Sequence, residues 1–215
     1  MYHFEYVTKA EAAPVKATLI SIIHEVQDIL RDEFTFRYVF IGSSSRNMIT
    51  CDLRSNKGYD FDVNIEVNDD NEEYSAKVIK QKLMAAFNKV IIRYGYNHCE
   101  DSTRVITIKF VDEISSKIVH SCDFAIVNHY DNNDGSIGQE YIRFNKKQGT
   151  YTWENQPKPY ETEHKAQWLK QRGVWNEVLE RYLQKKNLNQ DLNKHSRALY
   201  AETIHEICQL YGYYD

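Results

Sequence analysis

The chain has 215 residues and a formal net charge of −4 at pH 7, with 42% hydrophobic and 27% charged residues. Those values exclude a disordered or fibrous chain and a globally basic nucleic-acid footprint, and no apolar run approaches the roughly 20 residues of a membrane span. Cys51, Cys99, Cys122 and Cys208 are scattered without a CxxC pair, and Met1-Tyr2-His3-Phe4-Glu5-Tyr6 has neither the basic nor the apolar region of a signal peptide, so the expected setting is a reducing cytoplasm.

Residues 14–32 are predicted to be a helix. Val15, Leu19, Ile22, Ile23, Val26 and Leu30 recur at helical spacing, and Pro14 suits a first helical position. Residues 36–41 are an aromatic and β-branched run that reads as a strand ending at Gly42-Ser43-Ser44-Ser45. Residues 46–58 are polar and mixed, either a short helix with a loop or one long loop. Residues 59–67 alternate strictly. Tyr59, Phe61, Val63, Ile65 and Val67 point one way, and Asp60, Asp62, Asn64 and Glu66 the other, as in a strand with one buried face. After a turn at residues 68–73, a long helix is expected over residues 74–94, stopped by Gly95. Strands follow at residues 105–111 and 117–129, then a turn-rich loop at 131–138 and a hairpin whose arms are residues 140–144 and 150–153. Beyond Pro157 and Pro159 the pattern turns helical, over residues 162–186 with a break near Gly173 and over residues 196–211. This order is that of an α+β protein, a sheet core with attached helices, and not of a regular alternating α/β fold. The expected division is a core over residues 1–156 and a helical segment over residues 157–215 packed on it.

The chemistry lies in three acids. Asp60 and Asp62 are two apart on a strand and point the same way, so they can share hard cations, which prefer oxygen ligands. Asp123 sits in the apolar run Ser-Cys-Asp-Phe-Ala-Ile-Val, where an acid is costly unless paired, hydrogen-bonded or metal-bound. If the two strands are neighbours, the three carboxylates converge as a two-metal site requires. Gly42-Ser43 ends the preceding strand, where a glycine lets the backbone approach a phosphate. Arg46, Lys165 and Lys170 are candidate phosphate contacts. Tyr141 and Tyr151 are candidate base-stacking groups or core aromatics, and Glu66 is a neighbour of the acid pair on its polar face.

The combination Phe40-Ile41-Gly42-Ser43, Asp60-Phe61-Asp62-Val63 and Cys122-Asp123-Phe124 resembles the nucleotidyltransferase superfamily with the DNA polymerase β-like fold. The stretch Trp153, Asn155-Gln156-Pro157-Lys158-Pro159-Tyr160 and Trp168 resembles the region after the third acid in oligoadenylate synthetases and bacterial cyclic-oligonucleotide synthases. Unlike most members, the chain puts a long interval between Gly42 and Asp60. The resemblance implies a mixed-sheet nucleotidyltransferase core with flanking helices and a short C-terminal helical segment. It further implies a Mg²⁺- or Mn²⁺-dependent enzyme that moves a nucleoside monophosphate from a nucleoside triphosphate such as ATP to a hydroxyl, releasing pyrophosphate. In that scheme Asp60, Asp62 and Asp123 bind metal and act in catalysis, and Gly42 and Ser43 contact the triphosphate, with Arg46 and Lys165 beside them. The acceptor is a nucleotide, an RNA end, a small molecule or a protein. Neither a membrane nor tight non-specific DNA binding is expected. Two other readings stand: a nucleotide- or partner-binding module of the same fold without turnover, and an antitoxin-like minimal nucleotidyltransferase that modifies a protein.

Overall fold

The computed structural model of the chain describes residues 2–213 except 53, 56, 70–72, 133, 157–161 and 192. In chain order the elements are β1 (Phe4–Tyr6), α1 (Lys9–Leu30), β2 (Thr35–Ile41), α2 (Gly42–Ser45), β3 (Thr50–Asp52), β4 (Lys57–Asn68) and α3 (Ala76–Ile91). They continue with β5 (Glu100–Asp101), β6 (Ile106–Asp112), β7 (Lys117–Asp131), β8 (Ile137–Asn145), β9 (Thr150–Asn155), α4 (Thr162–Gln171), α5 (Trp175–Leu188) and α6 (Ser196–Leu210).

The chain divides into two compact units. One holds Val7–Ile49 and Asn56–Gln156; the other holds the described residues of Met1–Tyr6, Thr50–Ser55 and Pro157–Asp215. The larger unit is built on a seven-stranded mixed sheet in the order β2-β4-β7-β6-β5, with β8 alongside β7 and β9 alongside β8. Strands β4 and β7 run parallel at its centre, and β2–β4 and β6–β7 are antiparallel. Strand β7 is long enough to pair with β6 through its first half and with β8 through its second.

Alternation along β4 and β7 separates the two faces of this sheet. Phe61, Val63 and Ile65 of β4 and Cys122, Phe124 and Ile126 of β7 are buried with Leu19, Ile22, Ile23 and Val26 of α1 and Ile79, Leu83, Phe87 and Val90 of α3 in one hydrophobic core. Phe87 and Phe124 meet with ring centroids 4.5 Å apart. Each such side chain contributes roughly 1.5–3 kcal/mol by leaving water, so the burial of one face fixes the register of both strands and turns their acids to the other.

Helix α1 begins at Lys9 and not at Pro14. Thr8 and Glu11 form a capping box: the Glu11 amide donates to Thr8 Oγ1 at 3.2 Å, and the Thr8 amide donates to Glu11 Oε2 at 2.8 Å. Pro14 therefore lies inside the helix, in its second turn, where it cannot donate to the Ala10 carbonyl and its ring crowds that oxygen.

The expected 1–156 and 157–215 division also differs from the units observed, because β1 and β3 belong with the C-terminal helices. In that smaller unit β1 and β3 pair antiparallel, with Phe4 opposite Asp52. The Asn187 side chain caps the ribbon, accepting from the Phe4 amide at 2.6 Å and donating to its carbonyl at 3.1 Å. Tyr6 Oη donates to the Leu179 carbonyl at 2.8 Å. The helical stretch expected over residues 162–186 with a break near Gly173 is two helices, α4 and α5, separated at Gly173, whose φ of +76° an α-helix does not accommodate. The Pro157-Lys158-Pro159-Tyr160 part of the resemblance lies outside the described residues.

Candidate active site

The β4–β7 register sets Asp62 directly opposite Asp123 and Asp60 opposite Ser121. Directly paired residues share a face and residues two apart on a strand do too, so all three acids emerge on one face, the face turned away from the hydrophobic core. Their carboxylates converge: one oxygen from each of Asp60, Asp62 and Asp123 lies within 4.8 Å of the other two. No other His, Cys, Asp or Glu group of three or more among the described residues is arranged to hold a metal ion.

Ile41, the last residue of β2, pairs with Asp62, so the chain turns into α2 directly against that carboxylate. Gly42 has φ +66°, and a Cβ there would stand 2.4 Å from Asp62 Oδ2. Both facts demand glycine: the left-handed backbone disfavours an L side chain, and the carboxylate occupies the space it would need. The Ser44 and Ser45 hydroxyls donate to the Ile41 and Gly42 carbonyls, each at 2.9 Å, and the Met48 amide donates to the Ser43 carbonyl at 2.9 Å. The polar residues after β2 thus tie the turn down from within.

Electrostatics mark the cluster as strained in the absence of a cation. Partial burial and the neighbouring Asp123 push the Asp60 carboxyl up to about 7, against the Ser121 hydroxyl that favours its charged form. Burial and Asp123 push Asp62 up to about 6, and the Arg46 guanidinium opposes this. Asp123 is raised by burial, while the Thr107 hydroxyl and the Lys109 ammonium pull it back. Three like charges confined together is the arrangement a divalent cation relieves, and an all-carboxylate donor set suits hard ions such as Mg²⁺ or Mn²⁺.

Of the other residues singled out from sequence, Arg46 caps α2 near Asp62, and Lys165 and Lys170 lie on α4 in the smaller unit. Lys165 Nζ is 5.6 Å from the Tyr213 ring centroid, and Lys170 Nζ is 4.5 Å from that of Trp175. Glu66, on the same face as the acids, is not simply solvated: it is ion-paired with Arg37 and in contact with His129 Nδ1. Tyr141 is a buried residue with the Arg104 guanidinium 5.3 Å from its ring centroid. Tyr151 stacks on Phe144 at 4.4 Å and donates its hydroxyl to Asp101 at 2.6 Å, so both tyrosines are already engaged within the fold. Sequence reading passed over Thr107 and Ser121, which reach the acids only because of strand register.

No protein-family model matches the sequence, and no curated protein matches it. Solved structures share its fold. The cyclic AMP-GMP synthase DncV of Vibrio cholerae, in complex with a linear pppApG intermediate, matches with a TM-score of 0.54 and 15% identity over 86% of this chain and 51% of that one. The CD-NTase CdnG of Bradyrhizobium diazoefficiens, in complex with GTP, matches with a TM-score of 0.54 and 13% identity over 91% of this chain and 64% of its own. The STING-associated CdnE c-di-GMP synthase of Capnocytophaga granulosa matches with a TM-score of 0.58 and 16% identity over 93% and 60%. The chain thus spans between half and two thirds of the length of these proteins and carries the nucleotidyltransferase fold. Among the described residues, no helix is long and apolar enough to cross a membrane.

Proposed function

We propose that this protein is a divalent-metal-dependent nucleotidyltransferase that transfers a nucleoside monophosphate from a nucleoside triphosphate to a hydroxyl. The observation that carries the reading is the convergence of Asp60, Asp62 and Asp123 within 4.8 Å on one sheet face, in a fold shared with proteins captured with GTP or a pppApG intermediate. Asp60, Asp62 and Asp123 would hold Mg²⁺ or Mn²⁺. Bound there, such ions would offset the charge that develops on the leaving group.

The chain's own groups then position the reactants. Gly42, lacking a Cβ, lets the main chain of the turn lie against Asp62, so the Gly42-Ser43 amides face the triphosphate. Arg46 adds a fixed positive charge beside Asp62. Asp123 receives the proton of the acceptor hydroxyl. The acceptor oxygen forms a bond to the α-phosphorus, the bond from that phosphorus to the bridging oxygen breaks, and pyrophosphate leaves. Most of the rate enhancement in such a transfer is positioning and electrostatic stabilisation, so even a small displacement of a carboxylate is costly.

The test is incubation of the full chain with each labelled nucleoside triphosphate and Mg²⁺ or Mn²⁺, with pyrophosphate release followed and products separated. The reading expects pyrophosphate and a new nucleotidyl product in wild type, and neither in an Asp60→Ala/Asp62→Ala variant. Triphosphate binding without release, or release that persists in the double variant, contradicts it.

A further inference from the structure

Two hydroxyl side chains outside the acid pattern hold two of the three acids, and strand register makes each of them the acid's direct partner. The parallel β4–β7 pairing places Ser121 opposite Asp60, and the antiparallel β6–β7 pairing places Thr107 opposite Asp123. Directly opposed residues on one face have Cβ atoms about 4.5–5.5 Å apart, close enough for a single hydroxyl-to-carboxylate bond. Those bonds are formed. Ser121 Oγ donates to Asp60 Oδ1 at 2.8 Å, and Thr107 Oγ1 donates to Asp123 Oδ1 at 2.6 Å.

Three features separate these contacts from incidental surface bonds. Thr107 is only 7% exposed and sits in a strand, where a β-branched side chain has little freedom at χ1, so its hydroxyl has a fixed direction. Behind it, Ser102 Oγ lies 3.4 Å from Thr107 Oγ1 and extends the chain of polar groups leading to the acid. Finally, each hydroxyl engages a single carboxylate oxygen, which leaves the second oxygen of each carboxylate without that restraint.

We propose that Ser121 and Thr107 are positioning residues that each fix one oxygen of Asp60 and Asp123, so that each acid offers its other oxygen to the cation. The inference rests on the reading of these acids as a divalent-cation site. Groups that hold metal ligands from behind set ligand orientation and basicity, and their loss lowers metal affinity by about 10–100-fold. Thr107 carries the larger share, because its hydroxyl is both buried and conformationally restricted, whereas Ser121 is partly exposed.

The experiment is a Mn²⁺ titration of the full chain without nucleotide, read by the loss of the free-ion electron paramagnetic resonance signal, with the melting temperature of the metal-free protein recorded alongside. Thr107→Val keeps the shape and removes the hydroxyl; Ser121→Ala does the same at a site tolerant of truncation. Each is expected to weaken Mn²⁺ binding by about 10–100-fold, and Thr107→Ser, which restores the donor, is expected to return affinity to within a few-fold of wild type. Wild-type affinity in both Thr107→Val and Ser121→Ala overturns the positioning role. Equal loss in Thr107→Val and Thr107→Ser overturns it for Thr107, because packing and not the hydroxyl then matters. If Thr107→Val does not fold, Ser121→Ala decides alone. Absence of saturable Mn²⁺ binding in the wild type overturns the metal reading itself, a result distinct from binding that the variants leave unchanged.

Discussion

Two clusters of partly or fully buried charge in the larger unit follow opposite rules. Around Lys80, whose side chain is 1% exposed, the buried charge faces one of opposite sign: its ammonium donates to the Ser102 carbonyl at 2.7 Å and lies 2.8 Å from Asp101 Oδ1, and the Tyr151 hydroxyl donates to Asp101 Oδ2. In the Asp60, Asp62 and Asp123 cluster the three carboxyls share one sign; burial raises all three, with repulsion from Asp123 adding to it at Asp60 and Asp62 and from Glu100 at Asp123. The first arrangement is what a protein does to make a buried ion tolerable. The second is unfavourable for the fold by itself and makes sense as a site that a cation completes.

Substitutions sharpen this contrast. The largest effect is expected at the acids: Asp60→Ala/Asp62→Ala should reduce pyrophosphate release by more than about 10³-fold, since metal stabilisation of the transition state contributes several kcal/mol, with the circular dichroism of the fold retained. Next is Lys80→Met, which strands the Asp101 carboxylate and should lower unfolding free energy by about 3–5 kcal/mol in a denaturant titration. If Lys80→Met is neutral, the contrast between the clusters fails.

Gly42→Ala should destabilise by roughly 1–2 kcal/mol from its left-handed backbone alone, and it should also weaken Mn²⁺ binding by pushing Asp62 aside. Asp62→Asn should do the reverse of Lys80→Met and stabilise the metal-free protein by about 0.5–2 kcal/mol, the usual gain when a functional site is relieved of its strain. Loss of stability in Asp62→Asn would mean that the acids are structural.

The acids also have a pH signature. Asp60 and Asp62 titrate near 7 and 6 in the folded chain instead of near 3.8, so the folded state holds more protons than the unfolded one across that interval. Their contribution to metal-free stability is therefore present at low pH and lost as pH rises from about 4 to 7. Mn²⁺ competes with those protons, so its affinity should climb over pH 6–7. His120 works in the opposite sense. Burial lowers it to about 4, so stability is lost as pH falls from 6.5 toward 4. Comparing wild type with Asp62→Asn by denaturation at each pH isolates the acid contribution. The smallest effect is expected for the exposed Arg143–Glu154 pair, where Arg143→Ala should leave the denaturant midpoint nearly unchanged.

Much of this contrast was legible in the residues themselves. Strict alternation from Tyr59 to Val67 fixed both the strand and the shared face of Asp60 and Asp62, because period two admits only one buried set. Asp123 stood out as an acid in an apolar run. Strand β1, by contrast, is only three residues long and carries no alternation signal; it exists because β3, far along the chain, offers its backbone. The start of α1 was misplaced because Pro14 is a strong local signal, while the Thr8–Glu11 capping box that wins is a weaker pattern. Lys80 was hidden in the apolar spacing of α3, and its partners Asp101, Ser102 and Tyr151 are supplied by distant segments. Thr107 and Ser121 were invisible for a related reason: a hydroxyl on a strand means nothing until the register of the neighbouring strand is known.

The most direct measurement of the central claim is an anomalous-difference map from crystals of the full chain soaked with Mn²⁺ and a non-hydrolysable nucleoside triphosphate. The account predicts Mn²⁺ peaks bound by Asp60, Asp62 and Asp123, with the triphosphate against Gly42 and Ser43. Peaks at other carboxylates, or a triphosphate seated away from the three acids, would contradict it.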